Sequence, residues 1–66
     1  MTRTEAFELS QKTECSITHE LFTDKEHIKV NEFNIVTHDG FWQSITRFNS
    51  DRQGPEWDEG WSVYKS

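Results

Sequence analysis

Cysteine is scarce in this sequence, and so are uninterrupted apolar runs. There is one cysteine, Cys15, and no apolar run is longer than two residues. A single thiol cannot close an internal disulfide, whereas small secreted domains usually carry cysteines in even numbers. Runs this short form neither a membrane span nor the core of a signal peptide. We therefore expect a cytoplasmic protein in a reducing compartment.

Basic side chains are also few. Seven Lys and Arg residues oppose twelve Asp and Glu residues, which gives a formal net charge of −5. Nucleic acids and anionic membranes attract basic patches, so this balance disfavours both as direct partners. The expected partner is a basic protein surface, including the surfaces with which nucleic-acid-processing enzymes hold DNA or RNA.

Aromatic side chains, in contrast, are plentiful. Five Phe, three Trp and one Tyr occur among the 66 residues. Each can bury about 150–250 Å², so together they can form most of a small core, which argues against disorder. The length allows one domain, spanning 1–66, and leaves little room for a large enzyme cleft.

The first third of the chain has an alternating pattern. Between Phe7 and Leu21, apolar residues stand at odd positions and polar residues fill the even ones. This period of two predicts β-strands. A helix from about Thr4 is the alternative, because Thr2 and Glu5 could form a capping box. No apolar stripe with helical spacing follows, so the strand is favoured.

The middle of the chain predicts a turn and then a long strand. The turn is Thr23–Glu26, and the strand covers residues 27–38. Apolar positions change from even to odd within this strand, which predicts a β-bulge near Asn31–Glu32.

Asp39-Gly40 predicts the central hairpin of the fold, with a two-residue type I′ turn. In that register Ile35 faces Ser44 and Thr37 faces Trp42 on paired strands that continue to Phe48. The expected core face of this hairpin carries Phe33, Ile35, Trp42 and Phe48. Val36, Phe41 and Ile45 lie on the other face. Because both faces of this sheet then carry apolar residues, both are expected to be covered.

Asn49–Gly60 predicts a loop that is long for a small domain, and Trp61–Lys65 predicts a final edge strand. The expected fold is all-β: one small antiparallel sheet or barrel-like domain of four or five short strands. The alternative is an α+β fold with an N-terminal helix on a three-stranded sheet. The sheet would have unpaired edge strands, and some strands carry apolar residues on both faces. Both features also favour a homodimer.

No catalytic, cofactor-binding or metal-binding residue emerges from the sequence. In a strand, Cys15 and His19 would lie roughly 13 Å apart at about 3.3 Å per residue, too far to pair as nucleophile and base. We expect Cys15 to be a buried structural residue. The three histidines match no zinc-ligand spacing with it and are expected at the surface or against a partner.

Two tryptophans flank acids in Trp57-Asp58-Glu59-Gly60-Trp61. Aromatic residues beside acids on a loop are typical of a contact with a basic partner. An alternative is that both tryptophans cover a core too small to close by itself. The candidate partner-binding residues are Phe41, Asp51, Glu56, Trp57, Asp58, Glu59 and Trp61.

These features favour a non-enzymatic acidic protein that binds and occludes a basic surface of a partner. In its size, its acidity and the type of its predicted hairpin, the chain resembles small phage-encoded inhibitors of host enzymes, some of which imitate DNA. The resemblance involves no shared motif, and it implies an inhibitor that acts on a host protein. The alternatives are a structural or accessory subunit of a larger assembly and a single-strand nucleic-acid binder.

Overall fold

The computed structural model describes residues 1–65 and shows a sheet with helices on one side. The elements in chain order are α1 (Arg3–Thr13), β1 (Ile17–His19), β2 (Ile28–Val30), β3 (Asn34–Thr37), β4 (Trp42–Ser44), α2 (Ile45–Asp51), a 3₁₀ turn (Pro55–Trp57) and β5 (Trp61–Val63). The five strands are all antiparallel, in the order β4-β3-β2-β1-β5. The α+β alternative therefore fits, with more strands than expected, and the all-β prediction is right only for the antiparallel sheet.

Helix α1 occupies the place where alternation predicted strands. A capping box starts it: the Glu5 amide donates to Thr2 Oγ1 at 3.2 Å, and the Thr2 amide donates to Glu5 Oε1 at 2.9 Å. Hydrogen bonding to the backbone of Thr2, and then to its side chain, lowers the pKa of the Glu5 carboxyl. The helix ends at Glu14, which has left-handed backbone geometry with φ of 58°.

The buried face of α1 is narrow and partly polar, which explains why no helical stripe was visible. It consists of Ala6, Phe7 and Ser10. Ser10 is fully buried, and its hydroxyl donates to the Cys15 carbonyl at 2.7 Å and accepts from the Val30 amide at 2.9 Å. A serine in the core breaks the apolar period on which the helix prediction depended.

Strands β2 and β3 form a hairpin where a single bulged strand was predicted. Val30 pairs with Ile35, and the Asn31 amide donates to the Asn34 carbonyl at 2.7 Å to close the turn. The change of parity near Asn31 thus marks a reversal of the chain, so the bulge prediction is wrong. The predicted turn at Thr23–Glu26 is present, closed by a 3.1 Å bond from the Glu26 amide to the Thr23 carbonyl.

The Asp39-Gly40 hairpin forms, but with a longer loop than predicted. The Gly40 amide donates to the Thr37 carbonyl at 3.0 Å, the Thr37 amide donates to Phe41, and Gly40 has φ of 89°. A turn followed by a left-handed glycine is the usual three-residue loop. The pairing shifts by one residue, so that Val36 lies opposite Trp42.

A shift of one residue moves a side chain to the other face of a sheet. Trp42, predicted in the core, is 66% exposed on the uncovered face. The hairpin also lies at an edge of the sheet, with β4 outermost, and not at its centre. Phe33, the other misplaced core candidate, lies before β3 and is 72% exposed.

Ser44 ends β4 and begins α2, where a continuing strand was predicted. Its hydroxyl accepts from the Arg47 amide at 3.1 Å and caps the helix. Phe48 still reaches the core, now from a helix, with its ring centroid 6.1 Å from that of Phe7. The core consists of Ala6, Phe7, Ile17, Ile28, Val30, Ile35, Phe48 and Trp61.

The opposite face of the sheet, called here the open face, is not covered by either helix, as far as residues 1–65 show. Directly paired strand residues share a face, which defines its members. They are Thr18, Lys29, Asn34, Val36, Trp42, Ser44 and Ser62. Within the same residues, neither helix has the length and apolar character needed to cross a membrane.

Candidate interaction surfaces

The long segment before β5 is anchored to the start of α1 by one arginine. The Arg3 guanidinium donates to the Arg52 carbonyl at 2.7 Å, to Asn49 Oδ1 at 3.0 Å and to the Trp57 carbonyl at 3.3 Å. The Arg3 amide also donates to the Asp58 carbonyl at 2.9 Å. The predicted loop is therefore fixed at several points, and its first residues belong to α2.

Four predicted partner-binding residues form an acidic segment, Asp51–Glu59. Asp51, Glu56, Asp58 and Glu59 are all exposed. The backbone between them is held by Arg3, by the 3₁₀ turn and by the ring of Trp57. This arrangement presents carboxylates to solvent from a backbone that is already ordered.

The two tryptophans that flank these acids have different environments. Trp57 is half-buried and packs against the core, whereas Trp61 is 2% exposed and belongs to it. Trp61 Nε1 donates to the Trp57 carbonyl at 2.7 Å. Trp61 is therefore a core residue, which agrees with the alternative interpretation, and its side chain offers little surface to a partner.

His19 is a buried residue that sequence reasoning placed at the surface. Its ring lies 4.5 Å from that of Trp57 and 4.8 Å from that of Trp61. Its Nε2 lies 2.6 Å from the Glu59 carbonyl, and its Nδ1 accepts from the Leu21 amide at 3.0 Å. A carbonyl only accepts and an amide only donates, so both contacts fit the neutral tautomer protonated on Nε2. His19 thereby supports the backbone of the acidic segment.

A second surface, the aromatic edge, consists of Phe33, Phe41 and Trp42 on the β3–β4 hairpin. They are 72%, 70% and 66% exposed. Phe41 was among the predicted residues, and the other two were assigned to the core. Phe41 and Trp42 also line a shallow groove of about 490 Å³ with Gln43, Ser44 and Arg47.

The backbone of this edge is open to pairing. The Thr37 amide donates to the Phe41 carbonyl at 2.9 Å, and the Ile45 amide donates to the Phe33 carbonyl at 3.2 Å. Antiparallel strands alternate between bonded and non-bonded pairs, so Trp42 turns its own backbone groups away from β3. An unpaired strand edge of this kind can accept another strand.

The predicted partner-binding residues do not form one surface. Phe41 adjoins β4, whereas Asp58 and Glu59 adjoin β5, and these strands are at opposite edges of the sheet. Four strand spacings of about 4.8 Å separate them by roughly 19 Å.

Cys15 is half-buried and packs against the core. Among residues 1–65, no group of three or more His, Cys, Asp and Glu side chains is placed to hold a metal ion. No known protein family, curated protein or solved structure matches the chain.

Proposed function

We propose that this is a non-enzymatic binding protein that docks on a basic surface of a partner protein and occludes it, as an inhibitor does. The observation that supports this most directly is the acidic segment, where four carboxylates are exposed on a backbone held by Arg3. An ordered segment loses less conformational entropy on binding than a mobile loop does.

In this proposal the carboxylates take the place of the phosphates that the partner normally binds. Complementary charge accelerates encounter and orients the two proteins. The partly exposed ring of Trp57 supplies an aromatic contact beside the acids. Substrates of the partner are then excluded by occupation of its surface, without any reaction.

The experiment compares two variants that change the net charge equally. The first carries Asp51→Asn, Glu56→Gln, Asp58→Asn and Glu59→Gln, and the control carries Glu8→Gln, Glu14→Gln, Asp24→Asn and Glu32→Gln. All eight residues are exposed. Each immobilised protein is exposed to a bacterial lysate, and the bound proteins are quantified.

We expect a basic protein to bind the natural chain and the control variant, and we expect the first variant not to retain it. The affinity between the two purified proteins should fall steeply as the salt concentration rises. The captured protein should release its own ligand when this protein binds it. Equal loss from both variants would indicate non-specific charge attraction and contradict the proposal, as would affinity that is independent of salt.

A subunit of a larger assembly is the second candidate, and the aromatic edge favours it. Exposed apolar patches of a few hundred Å² are typical of protein–protein contacts. The exposed rings of Phe41 and Trp42, which line one groove beside an open strand edge, supply apolar surface of this kind. This function predicts association through β4, whereas the inhibitor proposal places the contact at the acidic segment.

A further inference from the structure

The open face has a pocket of about 180 Å³ at the end of the sheet where β2 begins and β3 ends. Water occupies about 30 Å³ per molecule in the liquid, so the pocket has room for roughly six waters. Side chains from β2, from β3, from the residues beside these strands and from the residue before β1 form it. The lining residues are Ser16, His27, Lys29, Val36, Thr37 and His38.

Lys29 is the charged member of the open face, although the protein as a whole is acidic. The other strand residues on this face are neutral. Lys29 is exposed and lies opposite Val36, at the wall of the pocket. Among its paired strand residues the open face therefore carries one positive charge, although the sequence as a whole has a net charge of −5.

The two histidines of the pocket are held close together. The ring of His27 stacks on Tyr64 with centroids 3.9 Å apart and lies 5.4 Å from the ring of His38. His27 Nδ1 is 2.9 Å from the Lys25 carbonyl, which can only accept, so that nitrogen carries the proton.

Two acids lie next to these rings in the chain, and each accepts a hydrogen bond. Asp39, next to His38, accepts from the Thr37 hydroxyl, and this bond lowers the pKa of its carboxyl. Glu26, next to His27, accepts from the Thr23 amide at 3.4 Å. Lys25 and Lys65 flank the same end of the sheet in the sequence and add positive charge, whereas Asp24, Glu26 and Asp39 add negative charge there.

We propose that this pocket binds a phosphate group. The ammonium of Lys29 is a suitable donor to phosphate oxygens, and the rings of His27 and His38 and the Ser16 hydroxyl line the same pocket. The phosphate can be free or can belong to a nucleotide, for which the Tyr64–His27 stack offers an aromatic surface. The site lies on the open face of the sheet, not on the face that packs against the helices. It includes none of the residues of the acidic segment.

The test uses the whole protein and nuclear magnetic resonance of the imidazole signals of His27 and His38. Inorganic phosphate and a nucleoside monophosphate are titrated separately at constant ionic strength, with chloride as the matched anion. We expect saturable shifts of both rings with phosphate. Tighter binding of the nucleotide would assign the phosphate to a nucleotide, and equal binding would assign it to the free anion.

Two lysine variants complete the test. Lys29→Gln should weaken phosphate binding about ten-fold or more, the usual effect of removing a charge-assisted hydrogen bond. Lys12→Gln removes the same charge from an exposed position of α1 and should leave the affinity for phosphate unchanged. Both residues are exposed, so both variants should fold, as their amide spectra will show. Shifts that do not saturate, that chloride reproduces, or that are equal in the two variants would overturn the proposal.

Discussion

Single side chains hold together parts of this chain that are far apart in the sequence. Arg3 bonds to backbone or side-chain oxygens of residues 49, 52 and 57, and Ser10 and His19 bond across 20 and 40 residues. None of these three polar residues was predicted to have such a role. Their partners come from distant segments, and composition and local spacing carry no information about them.

Arg3→Lys tests the contribution of the guanidinium. Lysine keeps the charge but lacks the planar fork that reaches three acceptors at once. We expect the free energy of unfolding to fall by about 1–3 kcal/mol, measured by urea denaturation. Arg47→Lys, at an exposed position of α2, is the control and should change it little. Equal effects of the two substitutions would show that the Arg3 contacts do not stabilise the fold.

The secondary-structure elements were predictable where their signals are local. The turn at Thr23–Glu26 and the final strand near Trp61 are present, and the Thr2–Glu5 capping box begins a helix that was only the alternative to the favoured strand. Register was not predictable, because Asp-Gly is compatible with loops of two or three residues. That single difference moved Trp42 from the core to the open face.

Glu14→Gly tests the C-terminal end of α1. Glu14 has φ of 58°, a left-handed conformation that disfavours residues with a Cβ atom. Glycine is the usual residue there, and we expect it to stabilise the protein by about 0.5–1 kcal/mol in thermal or urea unfolding. Glu8→Gly, inside the same helix and also exposed, should destabilise it by about 1 kcal/mol. Destabilisation by both would contradict the assigned helix end.

As a whole, the molecule is a two-layer domain with one face and one aromatic edge left uncovered by its described residues. The sequence predicted that covering on both faces would be needed, and the structure places both helices on one side. Its aromatic residues divide accordingly. Phe7, Phe48 and Trp61 lie in the core, whereas Phe33, Phe41 and Trp42 form the aromatic edge.

Trp42→Ser tests whether this edge joins copies of the protein. If β4 pairs with the β4 of a second copy, sedimentation velocity should show association that increases with concentration and is lost in the variant. Leu21→Ser removes another exposed apolar side chain, 55% exposed and outside the aromatic edge, and should associate as the natural protein does. A monomer at every concentration, or equal loss in both variants, would exclude this pairing.

The joining of α1 to the last strand has a consequence for how the chain folds. Phe7 packs edge-on against Trp61 at 5.5 Å, and Arg3 reaches across 54 residues to Trp57. Contacts between such distant positions raise the contact order, which slows folding, because a large loop must close before the contacts stabilise it. During synthesis α1 can pack against β1, β2 and Phe48 before Trp61 has been made, but the domain completes its core only when Trp61 is available.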